Sequence, residues 1–207
     1  MIHVESCGLV DYREAHRRQL ELVGRLQTSE EEDSCLVLEH PSVFTLGRNG
    51  SSRHIGVSRE FLAARNIDVV RVERGGEVTY HGPGQLVCYP VVNLKRRGLS
   101  VIEFVGLLES IMQSVTREFG IEARSDSRNR GIYVGNHKIG SIGIAVKRGI
   151  AFHGLALNVD LDLTPFSWIN PCGLTEVAMT SMARELKKRV DLDQVRKVLI
   201  ATVTQVF

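Results

Sequence analysis

Residues 131–159 read GIYVGNHKIGSIGIAVKRGIAFHGLALNV, three apolar runs separated by two short breaks. Gly131–Val134, Lys138–Val146 and Ile150–Val159 have the length and the Val/Ile content of strands. Gly135-Asn136 and Lys147-Arg148-Gly149 are hairpin punctuation, since Gly and Asn reach the positive φ that tight turns demand. Strands joined so closely pair antiparallel. This stretch sets the expectation for the whole chain: a mixed or mostly antiparallel sheet with helices outside it.

Working towards the N-terminus, Ser100 and Glu103 form a capping box that opens a helix ending at Gly120. Leu86–Leu94 and Ile67–Glu73 read as strands flanking a loop with four glycines, and Ser58 starts a brief helix through Asn66. Ser34–Glu39 and Phe44–Leu46 are short strands, and residues 2–10 form another. Asp11, with Glu14 three residues on, caps a helix whose apolar stripe includes Ala15, Leu22 and Leu26. Towards the C-terminus, a proline-containing loop, Asp160–Leu174, precedes a helix beginning near Thr175 or Glu176. Asp191 with Gln194 caps a last helix with an apolar face of Val195, Val198, Leu199, Val203 and Val206. No repeat, low-complexity tract or linker interrupts the pattern, so residues 1–207 are expected to form one α/β (α+β) domain.

Composition narrows the class. Hydrophobic residues make up 43% of the 207 and charged residues 24%, which excludes disorder and fibrous folds. The net charge of +2 gives no basic field for nucleic acid. Cys7, Cys35, Cys88 and Cys172 form no CxxC pair and no close His/Cys cluster, so neither a structural zinc site nor a disulfide framework is expected. MIHVESCGLVDYREAH lacks the charged-then-apolar order of a signal peptide, and no apolar run is long enough to span a membrane. A cytoplasmic protein in a reducing compartment is the expectation. The 19 glycines are about 9% of the chain against a usual 7%.

Three segments carry chemistry. Arg74-Gly-Gly-Glu-Val-Thr-Tyr-His-Gly-Pro-Gly-Gln85 packs four glycines between two strands, where exposed backbone N–H groups can meet a ligand. No Gly-Lys-Ser/Thr follows it, so it is not a P-loop, and the GxGxxG spacing of dinucleotide sites is absent. In Asn136-His-Lys-Ile-Gly-Ser-Ile-Gly143, small residues beside Lys138 leave room for a substrate along a strand, although a lysine beside a hairpin is ordinarily solvated. In Ile169-Asn-Pro-Cys-Gly173, Cys172 lies in a loop before the expected helix, where amide donors favour a thiolate. A lone cysteine is commonly a buried apolar group, and His81 or His153 is a conceivable base.

Taken in order, RGGEVTYHGPGQ, NHKIGSIG, HGLALNVDLDL and INPCG, with His40-Pro41 and Thr45-Leu-Gly-Arg48 upstream, resemble the octanoyl-(acyl carrier protein):protein octanoyltransferases of lipoate biosynthesis. The resemblance runs from about the first strand to just beyond Cys172. It implies the fold of lipoate and biotin protein ligases: a larger, largely antiparallel mixed sheet with helices, plus a small second sheet. It implies that Cys172 is the acyl-accepting nucleophile and Lys138 its partner base. Arg74, Gly75, Gly76, Glu77, Val78, Thr79, Tyr80 and His81, with Ser141, Ile142, Gly143, Gly154, Leu155 and Ala156, would line the acyl site. The implied donor is octanoyl-acyl carrier protein. The implied acceptors are lipoyl domains of 2-oxoacid dehydrogenase E2 subunits and the glycine cleavage H protein. Neither nucleic acid nor a membrane is among the implied partners.

Thioester chemistry calls for no cofactor and no metal, because the donor is already activated. Acidic partners would meet basic clusters: Arg13/Arg17/Arg18, Lys95-Arg96-Arg97, Arg124/Arg128/Arg130 or Lys147-Arg148. The alternatives are an ATP-dependent lipoate or octanoate ligase, for which Gly47-Arg48-Asn49-Gly50 offers a glycine-rich candidate, a non-catalytic carrier-binding module, and a thioesterase.

Overall fold

The computed structural model describes residues 2–28, 32–126, 129–169 and 178–207. The chain opens with β1 (His3–Leu9), α1 (Tyr12–Gln27), β2 (Ser34–Glu39) and β3 (Val43–Leu46), then α2 (Arg59–Ala63) and β4 (Asp68–Arg71). It continues through β5 (Val78–His81), β6 (Gln85–Asn93), α3 (Val101–Glu118), β7 (Arg124–Ser125) and β8 (Gly131–Val134). The last elements are β9 (His137–Lys147), β10 (Ile150–Asn158), α4 (Met182–Leu186) and α5 (Leu192–Val206). Seven strands form one sheet in the order β1-β2-β6-β10-β9-β8-β7, and three form a second in the order β4-β3-β5. β1–β2 and β3–β4 are parallel and every other pair is antiparallel. The expected fold class is what the structure contains: a large, mostly antiparallel sheet, a small sheet and helices.

Side-chain alternation divides the large sheet into two buried faces. Cys35 and Val37 of β2, with Leu155 and Leu157 of β10, join Phe104, Leu108 and Met112 of α3 and Val195, Leu199 and Val203 of α5. On the opposite face, Leu36, Leu38 and Ala156 pack with Ala15 of α1, and Ala145 and Phe152 pack with Val23 and Leu26. Burial on both faces is why β2, β6 and β10 read as unbroken apolar runs. Phe44, Leu46, Leu62, Val78 and Tyr80 form the core of the small sheet.

The caps follow the sequence. Asp11 accepts from Arg13 N and Glu14 N, and Ser100 and Glu103 make the reciprocal capping box. One local expectation is corrected. The stretch Arg74–Gln85 is not all loop, because Val78–His81 forms β5 along β3. The helix start expected near Thr175 or Glu176 lies outside the described residues; α4 begins at Met182, capped by Ser181. Ahead of α4, Ala178–Thr180 runs extended beside β9, with Lys138 N donating to Ala178 O and Thr180 N to Lys138 O.

Candidate active site

Lys138 stands near the start of β9, and a β-bulge decides where it points. Gly131 pairs with Ser141, Ile132 with Gly140, and Tyr133 with Lys138, so Ile139 is the extra residue. The bulge puts Lys138 on the face of Ser141 and Gly143. Regular alternation would have sent it to the face of Gly140 and Ile142. That face looks towards α1 and the small sheet, while Ile139 drops into the α3–α5 core. Gly131, at φ 138°, leaves room for the lysine stem: a Cβ there would lie 2.8 Å from Lys138 Cε.

Lys138 is buried, with 8% of its area exposed, and not solvated as a lysine beside a hairpin ordinarily is. Its Nζ donates to Asn129 Oδ1 at 2.8 Å and lies 5.4 Å from the centre of the Tyr133 ring. Burial pushes its pKa down to about 8, against the opposing pull of the Glu109 and Asp126 carboxylates. Glu109 also accepts from Gly131 N and pairs with Arg130, tying the β8 entry to α3. Asn129 and Glu109 carried no signal in the sequence, because what identifies them is the lysine they face across the fold.

The glycine-rich loop lies further along the same face. Gly75 N donates to Ile144 O, and the Arg74 stem covers Gly143, where a Cβ would lie 2.9 Å from Arg74 Cδ. Between this loop and Lys138 the face carries Ser141, flanked on β10 by Ala156, its register partner. Lys138 and Gly143 are about 16 Å apart along the strand. The structure thus sets Lys138, Ser141, Gly143, Ala156 and the Arg74–Gly76 turn along one face, with Lys138 and the turn at its two ends.

It gives other expected lining residues structural work. Arg74 donates to Thr45 O, Thr45 Oγ1, Gly75 O and Glu77 O, which locks the turn to β3. Glu77 meets His54, Val78 fills the small-sheet core, and Thr79 pairs with Thr45. Tyr80 bonds Ser42. Ile142 and Leu155 point to the opposite face, packed with the α3–α5 core, so their side chains do not line this one. Gly154 is required by β6: a Cβ there would lie 2.2 Å from Cys88 O.

Neither histidine considered as a base is suited to the work. His81 bonds Gln85 Oε1 at 2.7 Å, and burial holds its pKa well below the usual value, as it does less strongly for His153. A neutral imidazole with a depressed pKa is a weak base. Cys172 lies outside the described residues, as do Asn170, Pro171 and Gly173. The chain on either side is anchored. Ile169 bridges to Ile55, and Met179, seven residues beyond Cys172, bridges to Lys138. Cys35 and Cys88 are buried free thiols in the core, and Cys7 is half-buried.

Of the basic clusters, Arg13, Arg17 and Arg18 pair with Asp68, Glu14, Glu21 and Glu5, and Arg96 and Arg97 with Asp33. Among the described residues Lys147 and Arg148, at the β9–β10 turn, have no ion-pair partner. No helix among the described residues is long and apolar enough to cross a membrane.

Two sheets in this order and pairing are the fold seen in the class of lipoate and biotin protein ligases. P. falciparum LipL1, solved in complex with lipoate, superposes with a TM-score of 0.78 at 13% identity, over 100% of this chain and 62% of that one. Biotin protein ligase from Aquifex aeolicus superposes at 0.53 and 12% identity, over 99% of this chain and 68% of that one. Within the class, the chain belongs to the lipoyl protein ligase A/B catalytic domain family, whose profile matches residues 11–204. Relatives include an octanoyltransferase of Desulfotalea psychrophila, 47% identical over 100% of this chain and 94% of that protein. Another is an octanoyltransferase of Syntrophobacter fumaroxidans, 42% identical over 98% and 89%.

Proposed function

We propose that this chain is a single-domain octanoyltransferase, residues 1–207, that moves an octanoyl group from octanoyl-acyl carrier protein to a lysine of a lipoyl domain through a thioester on Cys172. The acceptors are the lipoyl domains of 2-oxoacid dehydrogenase E2 subunits and the glycine cleavage H protein. In the first half-reaction Cys172 Sγ forms a bond to the acyl carbonyl carbon. The bond to the carrier sulfur breaks, and the Lys138 ammonium gives its proton to the departing thiolate. In the second, the acceptor amine attacks the Cys172 thioester, neutral Lys138 takes the amine's proton, and Cys172 leaves as thiolate beside a restored ammonium.

The observation that carries this reading is the buried Lys138 with a pKa near 8, bonded through its backbone to Ala178, six residues beyond Cys172. At pH 7 about one in ten such lysines is neutral, against about one in 3,000 at the ordinary value. The group can therefore both give and take a proton. An acceptor lysine is neutral in only about one molecule in 2,500, so a base is needed. Burying the octanoyl tail contributes roughly 5 kcal/mol at about 0.8 per carbon, and the side-chain-poor lane between Lys138 and Arg74 suits it.

Incubation with octanoyl-acyl carrier protein should add one octanoyl group, mapped by peptide mass to Cys172, and a lipoyl domain should discharge it. A Cys172→Ala protein that transfers octanoate at the wild-type rate would end the proposal. Activity that requires free octanoate and ATP would favour the ligase reading, and neither activity a binding module.

A further inference from the structure

Away from Lys138, three side chains from separate elements converge: His16 on α1, Glu73 two residues beyond β4, and His153 in β10. Their ligating atoms all lie within 4.8 Å of one another. Glu73 Oε2 is 3.0 Å from His16 Nε2 and 3.7 Å from His153 Nε2. The imidazole rings stack at 5.5 Å between centroids with 13° between planes.

His153 is the informative member. It is 1% exposed, yet neither ring nitrogen has a hydrogen-bond partner among the described residues. Buried polar atoms are rarely left so, and an imidazole normally uses both nitrogens. Its backbone adopts φ 56°, a region a β-strand residue ordinarily avoids. Ala151 and Leu155, two residues away on either side, face the α3–α5 core, whereas His153 turns its ring onto α1.

We propose that His16, Glu73 and His153 bind one divalent transition-metal ion of the zinc class. Two imidazoles and one carboxylate form a donor set that suits zinc or cobalt, while magnesium and calcium take all-oxygen shells. Tetrahedral bonds of about 2.0–2.2 Å put ligand atoms about 3.4 Å apart, so the Glu73 distances of 3.0 and 3.7 Å already bracket the requirement and only the two imidazoles need to draw closer. The fourth position is left to water. Because Glu73 directly precedes Arg74, the ion would clamp the glycine-rich turn to α1 and β10. Arg74 tempers the affinity as a nearby cation, but its guanidinium is turned towards Thr45 and the carbonyls of Gly75 and Glu77.

Full-length, chelator-treated protein titrated with Zn²⁺ alone in a calorimeter should bind one equivalent and melt at a higher temperature. Co²⁺ should give visible bands of nitrogen and oxygen ligation without a sulfur charge-transfer band. His16→Asn, on a partly exposed helix position that should still fold, should weaken binding at least ten-fold, and Cys172→Ser should leave it unchanged. No binding, competition by equimolar Mg²⁺, or binding that survives His16→Asn and is lost in Cys172→Ser would overturn the site.

Discussion

Replacing Lys138 with Met should make the protein more stable and catalytically dead. Folding lowers the pKa of this lysine from 10.5 to about 8, and the first cause is burial. At about 1.36 kcal/mol per pH unit, the fall from 10.5 to about 8 means that charging the group in the folded state costs about 3 kcal/mol. The sign follows from the order of the two values. Below pH 8 both states are charged and the full cost is present. Between 8 and 10.5 the folded lysine is neutral while the unfolded one is still protonated, so the cost fades. Above 10.5 it is gone. Methionine keeps most of the stem that packs beside Gly131 and carries no charge. The loss of a donor to Asn129, which is half-buried and open to water, costs roughly 1 kcal/mol.

The net expectation is a gain of about 2 kcal/mol at pH 7, or roughly 1 M in urea midpoint for a slope near 2 kcal/mol/M. Urea unfolding at pH 7 and at pH 10.5 reads the gain and its disappearance, and an octanoyl-transfer assay reads the loss, expected to exceed 100-fold. A Lys138→Met protein less stable than wild type at pH 7, or a stability gap unchanged at pH 10.5, would refute the argument that burial depresses this pKa.

Asn129→Asp should place a carboxylate on Lys138 and move the alkaline limb of the acylation rate to higher pH, and Asn129→Leu should move it lower; coincident profiles would show that this contact does not tune the lysine. Gly131→Ala puts a Cβ 2.2 Å from Gly140 O and against Lys138, so a stability loss of about 2 kcal/mol or more is expected in urea, accompanied by slower transfer. Burial lowers the pKa of His40 to about 4, so its neutral form, bonded to Val10 O and Tyr89, contributes stability above pH 6.5. That contribution is lost as pH falls through 4, up to about 3 kcal/mol in all. A His40→Gln variant should show a shallower decline between pH 6.5 and 4.

Local signals in the chain carried most of the fold, because they act locally. Asp11, Ser58, Ser100 and Asp191 each cap the helix that follows, and the 131–159 hairpins pair as their turns require. What escaped is set by partners far away in sequence. β5 was hidden inside a glycine cluster because its strand character comes from lying against β3. Ala178–Thr180 is held extended by the backbone of Lys138 ahead of α4, a pairing that no window of sequence contains.

The glycines show the same division at the site. Read as a cradle, they divide on inspection into those that admit a side chain and those that admit a strand. Gly131 and Gly143 make room for the stems of Lys138 and Arg74, whereas Gly154 makes room for the β6 backbone at Cys88. That crowding is local. Pro90 interrupts the β6 ladder, whose pairing with β10 holds at Ala151 and Val92 and again at Leu155 and Cys88 but not between. His153 takes φ 56° opposite that gap while keeping its register partner Ile144 on β9. In the structure the stretch of β10 that lacks pairs with β6 is the one that turns His153 onto His16 of α1, beside the turn that carries Arg74.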